Sequence, residues 1–162
     1  MDSKVPTDLY ETDFVAWTKE QAAELRRLRD ARINTRLDLE LLAEAVEDLG
    51  SEQRFAVRSH VARIIEHLLK IEYSPAQEPR LGWRRSVRNA RDEVEQRMTP
   101  TIRRDVENHL PKMFDRARRH VADALEAHRG YDALAALPTL NHYSLDEILD
   151  PGWLPPTPHG RA

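Results

Sequence analysis

Glu40, Glu44, Glu47 and Asp48 crowd four carboxylates into the stretch LDLELLAEAVEDLG, residues 37–50. Glu40, Glu44 and Glu47 are separated by four and three residues, so on a helix they reach toward a common side. Carboxylates in that arrangement repel one another unless something cationic answers them. Carboxylates alone suit magnesium or manganese, and carboxylates with imidazole suit a wider set of divalent metals. His60 and His67 supply the imidazole, seven residues apart and nearly eclipsed at the edge of an apolar stripe. If residues 37–49 and 51–73 form an antiparallel helix pair, Glu40, Glu44 and Asp48 face His60, His67 or Lys70. A carboxylate–histidine pair there would also move protons near neutral pH. The chemistry on offer is divalent-metal binding or general acid–base catalysis.

The competing reading is structural. With Leu37 as origin and about 100 degrees per residue, Leu41, Ala45, Leu49, Leu42 and Val46 share one broad arc, and the acids fill the adjoining one. Glutamates beside a packing stripe make a solvated shoulder, and a boundary histidine bonds a nearby carboxylate. No His-Glu-x-x-His or Glu-x-x-His pattern occurs, so the structural reading is favoured. No cofactor is established by these residues; a divalent metal is the one they admit.

A second cluster is cationic. Arg80, Arg84, Arg85, Arg88 and Arg91 lie in PRLGWRRSVRNARDEVEQR beside Trp83, a combination that can contact phosphate and stack on a base. Yet Arg84, Arg88 and Arg91 stand at helical spacing close to Asp92 and Glu95, where pairing along one helix explains them. The net charge is -3 and no Gly-x-Gly occurs, so nucleic acid is not the expected partner. Cysteine is absent, which removes thiolate chemistry, and no serine lies in a nucleophile elbow.

The elements that must position these groups are helical. Asp13 predicts a helix start before FVAWTKEQAAELRRLRD, with Thr18 and Gln21 as an alternative capping box. A second helix is expected over 37–49, opened by Asp38 and ended by Gly50, unless Gly50 only bends a longer helix. Val57, Val61, Ile64, Leu68 and Ile71 give the strongest core-facing pattern, over 51–73. Pro75 and Pro79 end it. A fourth helix spans roughly 83–98, and Thr99-Pro100 opens a fifth that Pro111 is expected to divide before Gly130 closes it. Ser144 and Glu147 form a capping box, with Tyr143 and Ile148 as its hydrophobic staple. The expected fold is all-α: one domain over 13–154, a single-domain helical bundle of six or seven helices, between an N-terminal arm (1–12) and a flexible, proline-rich C-terminal tail (155–162). Trp17, Trp83 and Trp153 mark element ends as packing anchors. No apolar run is long enough to span a membrane, and MDSKVPTDLY lacks a secretory pattern, so a cytoplasmic location is expected.

Taken in order, DFVAWTKEQAAELRR, LDLELLAEAVEDLG, SEQR with EHLLKIEYSP, GWRRSVRNARDEVE, and YSLDEILD with GWLP closely resemble the bacterial family known as domain of unknown function 29. The likeness covers roughly residues 10 to 155. It implies an all-helical fold and a bacterial setting, and it implies no activity, substrate or partner. The chain departs from the family pattern in two places: Ile71 replaces a frequent aromatic, and Asn141-His142 stands where Cys-Pro is common before Tyr143-Ser144. The leading expectation is a structural or protein-interaction role with a protein partner or a second copy in a homodimer. A small enzyme built on the acidic face and His67 is the alternative, with nucleic-acid binding through 80–104 behind it.

Overall fold

Asp13 separates two helices, α1 (Thr7–Thr12) and α2 (Phe14–Asp30), and caps the second: its Oδ1 accepts from the Ala16 N–H at 3.1 Å. The computed structural model describes residues 7–157; residues 1–6 of the expected arm and 158–162 of the expected tail lie outside the described residues. Five more helices follow: α3 (Leu39–Tyr73), α4 (Arg80–Arg97), α5 (Pro100–Ala127), α6 (Tyr131–Ala136) and α7 (Leu145–Leu149). The fold is all-α, with seven helices and no strand among the described residues. None of these helices is long and apolar enough to cross a membrane.

The chain forms two compact units: one runs over the described residues to Ala56 together with Met98–Asp105, the other over Val57–Arg97 and from Val106 onward. In the first unit, Tyr10 of α1 meets Phe14 and Trp17 of α2 edge-on, with ring centroids 5.5 and 4.9 Å apart. The inner stripe of α2 is narrow and small: Val15, Thr18 and Ala22 are its buried residues. Against it α3 buries Leu39, Ala43 and Gly50. This corrects the expected packing face, since Leu37, Leu41, Leu42 and Leu49 are all exposed. Small residues win the inner position because they let two backbones approach closely.

Gly50 explains why α3 is one helix rather than two. Its backbone is buried, and a Cβ there would sit 2.3 Å from the Thr18 hydroxyl oxygen. The glycine serves interhelical contact, not termination, so the alternative of one longer helix through Gly50 holds and 37–49 and 51–73 do not form an antiparallel pair. Thr18 is itself fixed, donating its hydroxyl to the Val15 carbonyl at 2.9 Å. Gly50→Ala is expected to lower stability by about 1–2 kcal/mol, because overpacking at about 1–3 kcal/mol exceeds the helix-propensity gain of about 1 kcal/mol. Adding Thr18→Ala should recover most of that loss. Urea unfolding of the two single variants and the double variant measures the coupling, and strict additivity would refute the contact.

In the second unit the rest of α3 buries Val57, Val61, Ile64, Ile65, Leu68, Leu69 and Ile71, fully enclosed on the expected stripe. Helix α4 adds Val87, Ala90 and Val94, and α5 adds Val106, Phe114, Ala117 and Val121. Helix α5 passes through Pro111 without a break, against expectation. An interior proline costs about 3 kcal/mol, but this one is exposed, and the buried positions on either side hold the helix together. The α5 start follows the sequence: Thr99 Oγ1 accepts from Ile102 N–H at 3.2 Å, with Pro100 in the first turn. Arg129 takes the left-handed turn conformation (φ 57°) after α5, and the Gly130 N–H closes back onto the Leu125 carbonyl at 2.7 Å. The Ser144–Glu147 capping box of α7 is complete.

Candidate functional site

The acidic face finds its cations upstream, on α2. Arg26 grips Glu47 with both terminal nitrogens at 2.8 Å each, and its Nε donates to Glu40 at 3.3 Å. Arg29 donates to the other Glu40 oxygen. The Arg26 hydrogen bonds hold the Glu47 carboxyl below its ordinary pKa, and the Arg26 guanidinium is raised in return. Glu44 and Asp48 are exposed and stand apart from this network. The four acids are thus split into an answered inner pair and a solvated outer pair.

His60 and His67 lie further along the same continuous helix. The carboxylates of 37–49 belong to the first unit and both imidazoles to the second. Among the described residues, no three histidine or carboxylate side chains are grouped to hold a metal ion. His60 is half-buried; desolvation lowers its pKa, with Glu93 opposing and Arg63 and Arg97 adding to the shift.

His67 has a different neighbourhood, built with α5. A cavity of about 450 Å³ is walled by Ser59, Arg63, Glu66 and His67 of α3 and by Arg116 and His120 of α5. His67 Nδ1 lies 3.1 Å from the Arg63 carbonyl oxygen. A carbonyl only accepts, so Nδ1 carries the proton and Nε2 keeps its lone pair. Burial, helped by Lys70, holds the His67 pKa below the ordinary histidine value, with Glu66 opposing. Glu66 receives Lys70 Nζ at 2.6 Å, and His120 Nδ1 lies 3.4 Å from its second oxygen. Burial opposes ionisation of Glu66, but these contacts outweigh it and keep its pKa low.

A further cluster lay beyond sequence reasoning. Glu72, in the last turn of α3, accepts on one carboxylate oxygen from the Tyr143 hydroxyl, and His142 Nε2 lies 3.1 Å from the same oxygen. Tyr143 is buried, and desolvation followed by the Glu72 contact drives its pKa strongly upward, so it stays a phenol. Glu72 also borders a cavity of about 910 Å³, with Tyr73, Arg129 and Tyr131. A separation of 71 residues leaves no local signal linking Glu72 to Tyr143.

The arginine patch resolves into separate roles. Arg80 is buried and donates to the carbonyls of Ile71 at 2.9 Å and Ser74 at 2.7 Å, closing the C-terminal end of α3. Arg91 is buried too, and its guanidinium holds the carbonyls of Glu147, Ile148 and Trp153. Arg84 is half-buried, which leaves Arg85 and Arg88 as the exposed members. The five therefore do not form one open basic face, because two of them satisfy helix-end carbonyls.

Residues 9–154 match the model of a family described as domain of unknown function DUF29. The chain is also similar to an alpha-helical protein of unknown function from Rhodospirillum rubrum, known from a crystal structure. The two share 26% identity and a TM-score of 0.76, over 89% of this chain and 90% of that one. No curated protein is similar to this chain.

Proposed function

The chain belongs to the DUF29 family of all-helical bacterial proteins, and on that premise we propose that it is a protein-interaction module whose first unit docks a cationic amphipathic helix from a partner protein. The observation that carries this reading is the outward face of α3. Leu41 is 61% exposed, Leu49 49% and Leu42 39%, and exposed Ala45 lies between them. Scattered surface leucines are ordinary, but leucines spaced along one helical stripe are the pattern that receives another helix. Along one edge of the stripe run Glu44, Asp48 and Glu52, all exposed and four residues apart.

That edge argues for the sign of the partner. A second copy laid antiparallel would set Glu44, Asp48 and Glu52 against the same acids of its twin, whereas lysines or arginines beside apolar anchors would complement them. The inner acids, Glu40 and Glu47, are already committed to Arg26 and Arg29, so the outer acids are the ones available for selection.

The test is fluorescence anisotropy of a labelled, leucine-containing, lysine-rich helical peptide, with an otherwise matched glutamate-rich peptide as control. The cationic peptide should bind saturably and weaken with salt. Leu41→Ser with Leu49→Ser should weaken it at least about tenfold, the equivalent of about 1.4 kcal/mol. Glu44→Lys with Asp48→Lys should do the same while circular dichroism stays unchanged. Binding that ignores these surface substitutions would sink the proposal. So would a concentration-dependent dimer, seen by sedimentation, that the leucine substitutions abolish, since a second copy would then be the occupant.

A further inference from the structure

The His67 cavity belongs to the second unit and owes nothing to the leucine face. Its charges do not cancel. Glu66 is taken up by Lys70, and the Arg63 and Arg116 guanidinium groups form no hydrogen bond or ion pair among the described residues. Two forked cations thus border a recess of about 450 Å³, a size within the range of small-molecule sites. Arginine forks match the oxygens of phosphate and carboxylate alike, so they select for an anion without choosing which.

His67 makes the choice. Its Nδ1–H is spent on the Arg63 carbonyl, so the free ring position Nε2 offers a lone pair. A bare oxyanion would meet that lone pair with repulsion. An anion that carries a proton near neutral pH would instead donate to it. A phosphate group does so, because its second pKa is near 6; carboxylates and sulfate are stripped of protons at that pH. We propose that this α3–α5 cleft binds a phosphate group, as the free ion or as the monoester of a small molecule, with Arg63 and Arg116 pairing its oxygens and His67 Nε2 sharing its proton.

The proposal dictates a pH dependence. The charged and titratable groups around His67 are Arg63, Glu66 and Lys70 from α3, and Arg116 and His120 from α5. Burial opposes the Glu66 charge, but its Lys70 and His120 contacts hold its pKa low, so it stays ionised. The pH dependence is carried by the proton that the ligand shares with His67. Affinity should fall about tenfold or more between about pH 6 and about pH 8 as the ligand loses its proton. That dependence should survive His120→Gln and vanish in His67→Gln.

Calorimetric titration with inorganic phosphate, glycerol phosphate and sulfate is the experiment. Expected is one-to-one binding of a phosphate species at about pH 7, at least about tenfold tighter than sulfate, and weakened about tenfold or more by either Arg63→Gln or Arg116→Gln. Both arginines are exposed, so these variants should fold as the parent does, and circular dichroism checks it. Glycerol phosphate binding more tightly than the free ion identifies a monoester as the ligand; equal affinities identify the ion itself. Three results overturn the site: no saturable binding, equal affinity for sulfate, or binding indifferent to Arg116→Gln. A pH dependence lost in His120→Gln but kept in His67→Gln overturns the role given to His67.

Discussion

Asp13→Ala is expected to destabilise the protein by about 2–4 kcal/mol, an unusually large loss for one helix cap, because this carboxylate caps two helices. Oδ1 accepts from Ala16 at the start of α2, and Oδ2 accepts from the Thr101 N–H at 2.9 Å, in the first turn of α5. Those N–H groups are among the donors that a helix leaves without internal partners. Asp13 is buried, so water cannot replace the lost acceptor freely. An ordinary cap costs about 1 kcal/mol; here two are lost, with buried donors left behind. Asp13→Asn keeps one carbonyl acceptor and should fall between the parent and the alanine variant.

The same carboxylate gives a pH signature with a defined sign. Burial disfavours the Asp13 charge, yet the bonds from Ala16, Thr101 and Thr99 more than offset it, and its pKa sits below the usual value. A depressed folded pKa means that the stabilisation is fully present above the unfolded value of about 3.9 and is lost as pH falls through the folded one. The stability gap between the parent and Asp13→Asn should therefore be constant near neutrality and shrink in acid. Urea unfolding at a series of pH values measures it. A gap that widens in acid would contradict the assignment.

Asp13 also shows what was legible in the chain. Its cap on α2 was readable because a cap and its helix are neighbours; the same holds for Thr99-Pro100, Asp38 and the Ser144 box, all of which open helices. Its second cap, on α5, was not, because 88 residues intervene. Gly50, left open between ending a helix and bending a longer one, and Pro111, expected to divide one, both lie inside continuous helices: they weaken a helix locally, and tertiary burial outweighs them. Periodicity found the α3 stripe at Val57–Ile71, where large apolar residues face a core. It misplaced the packing face over 39–50, where the inward positions are Leu39, Ala43 and Gly50 while Leu41, Leu42 and Leu49 face out.

The candidate site divides along the same line. Residue types signalled that the acids of 37–49 needed cations, and Glu40 and Glu47 have them, whereas Glu44 and Asp48 are left to solvent. The cations stand 11 to 21 residues upstream at Arg26 and Arg29, rather than downstream at the histidines. His67 drew attention by its place beside the stripe, but the groups that give it a cavity, Arg116 and His120, come from α5. Amphipathic spacing identifies a face and leaves open which helix lies across from it.

Arg91→Met should cost about 3–5 kcal/mol, because an unpaired carbonyl at a buried helix end keeps its desolvation penalty of about 1–3 kcal/mol. The five-residue helix α7 cannot satisfy its final carbonyls internally, and the Arg91 fork reaches two of them: Nε to Ile148 at 2.8 Å and Nη2 to Glu147 at 3.2 Å. Nη1 adds the Trp153 carbonyl at 3.0 Å, tying down the segment beyond the helix. Burial lowers the Arg91 pKa, with Asp150 opposing, but guanidinium is basic enough to stay charged. Lysine keeps the charge without the planar fork, so Arg91→Lys should recover less than half of the loss. Hydrogen exchange can locate the effect: amides of 145–153 should lose protection first in Arg91→Met, while those of the Val57–Ile71 core follow only on global unfolding. Equal protection at both places would mean that α7 is held by its apolar contacts through Leu145 and Ile148, and that the arginine merely fills space. A lysine variant as stable as the parent would show that charge alone suffices at this position.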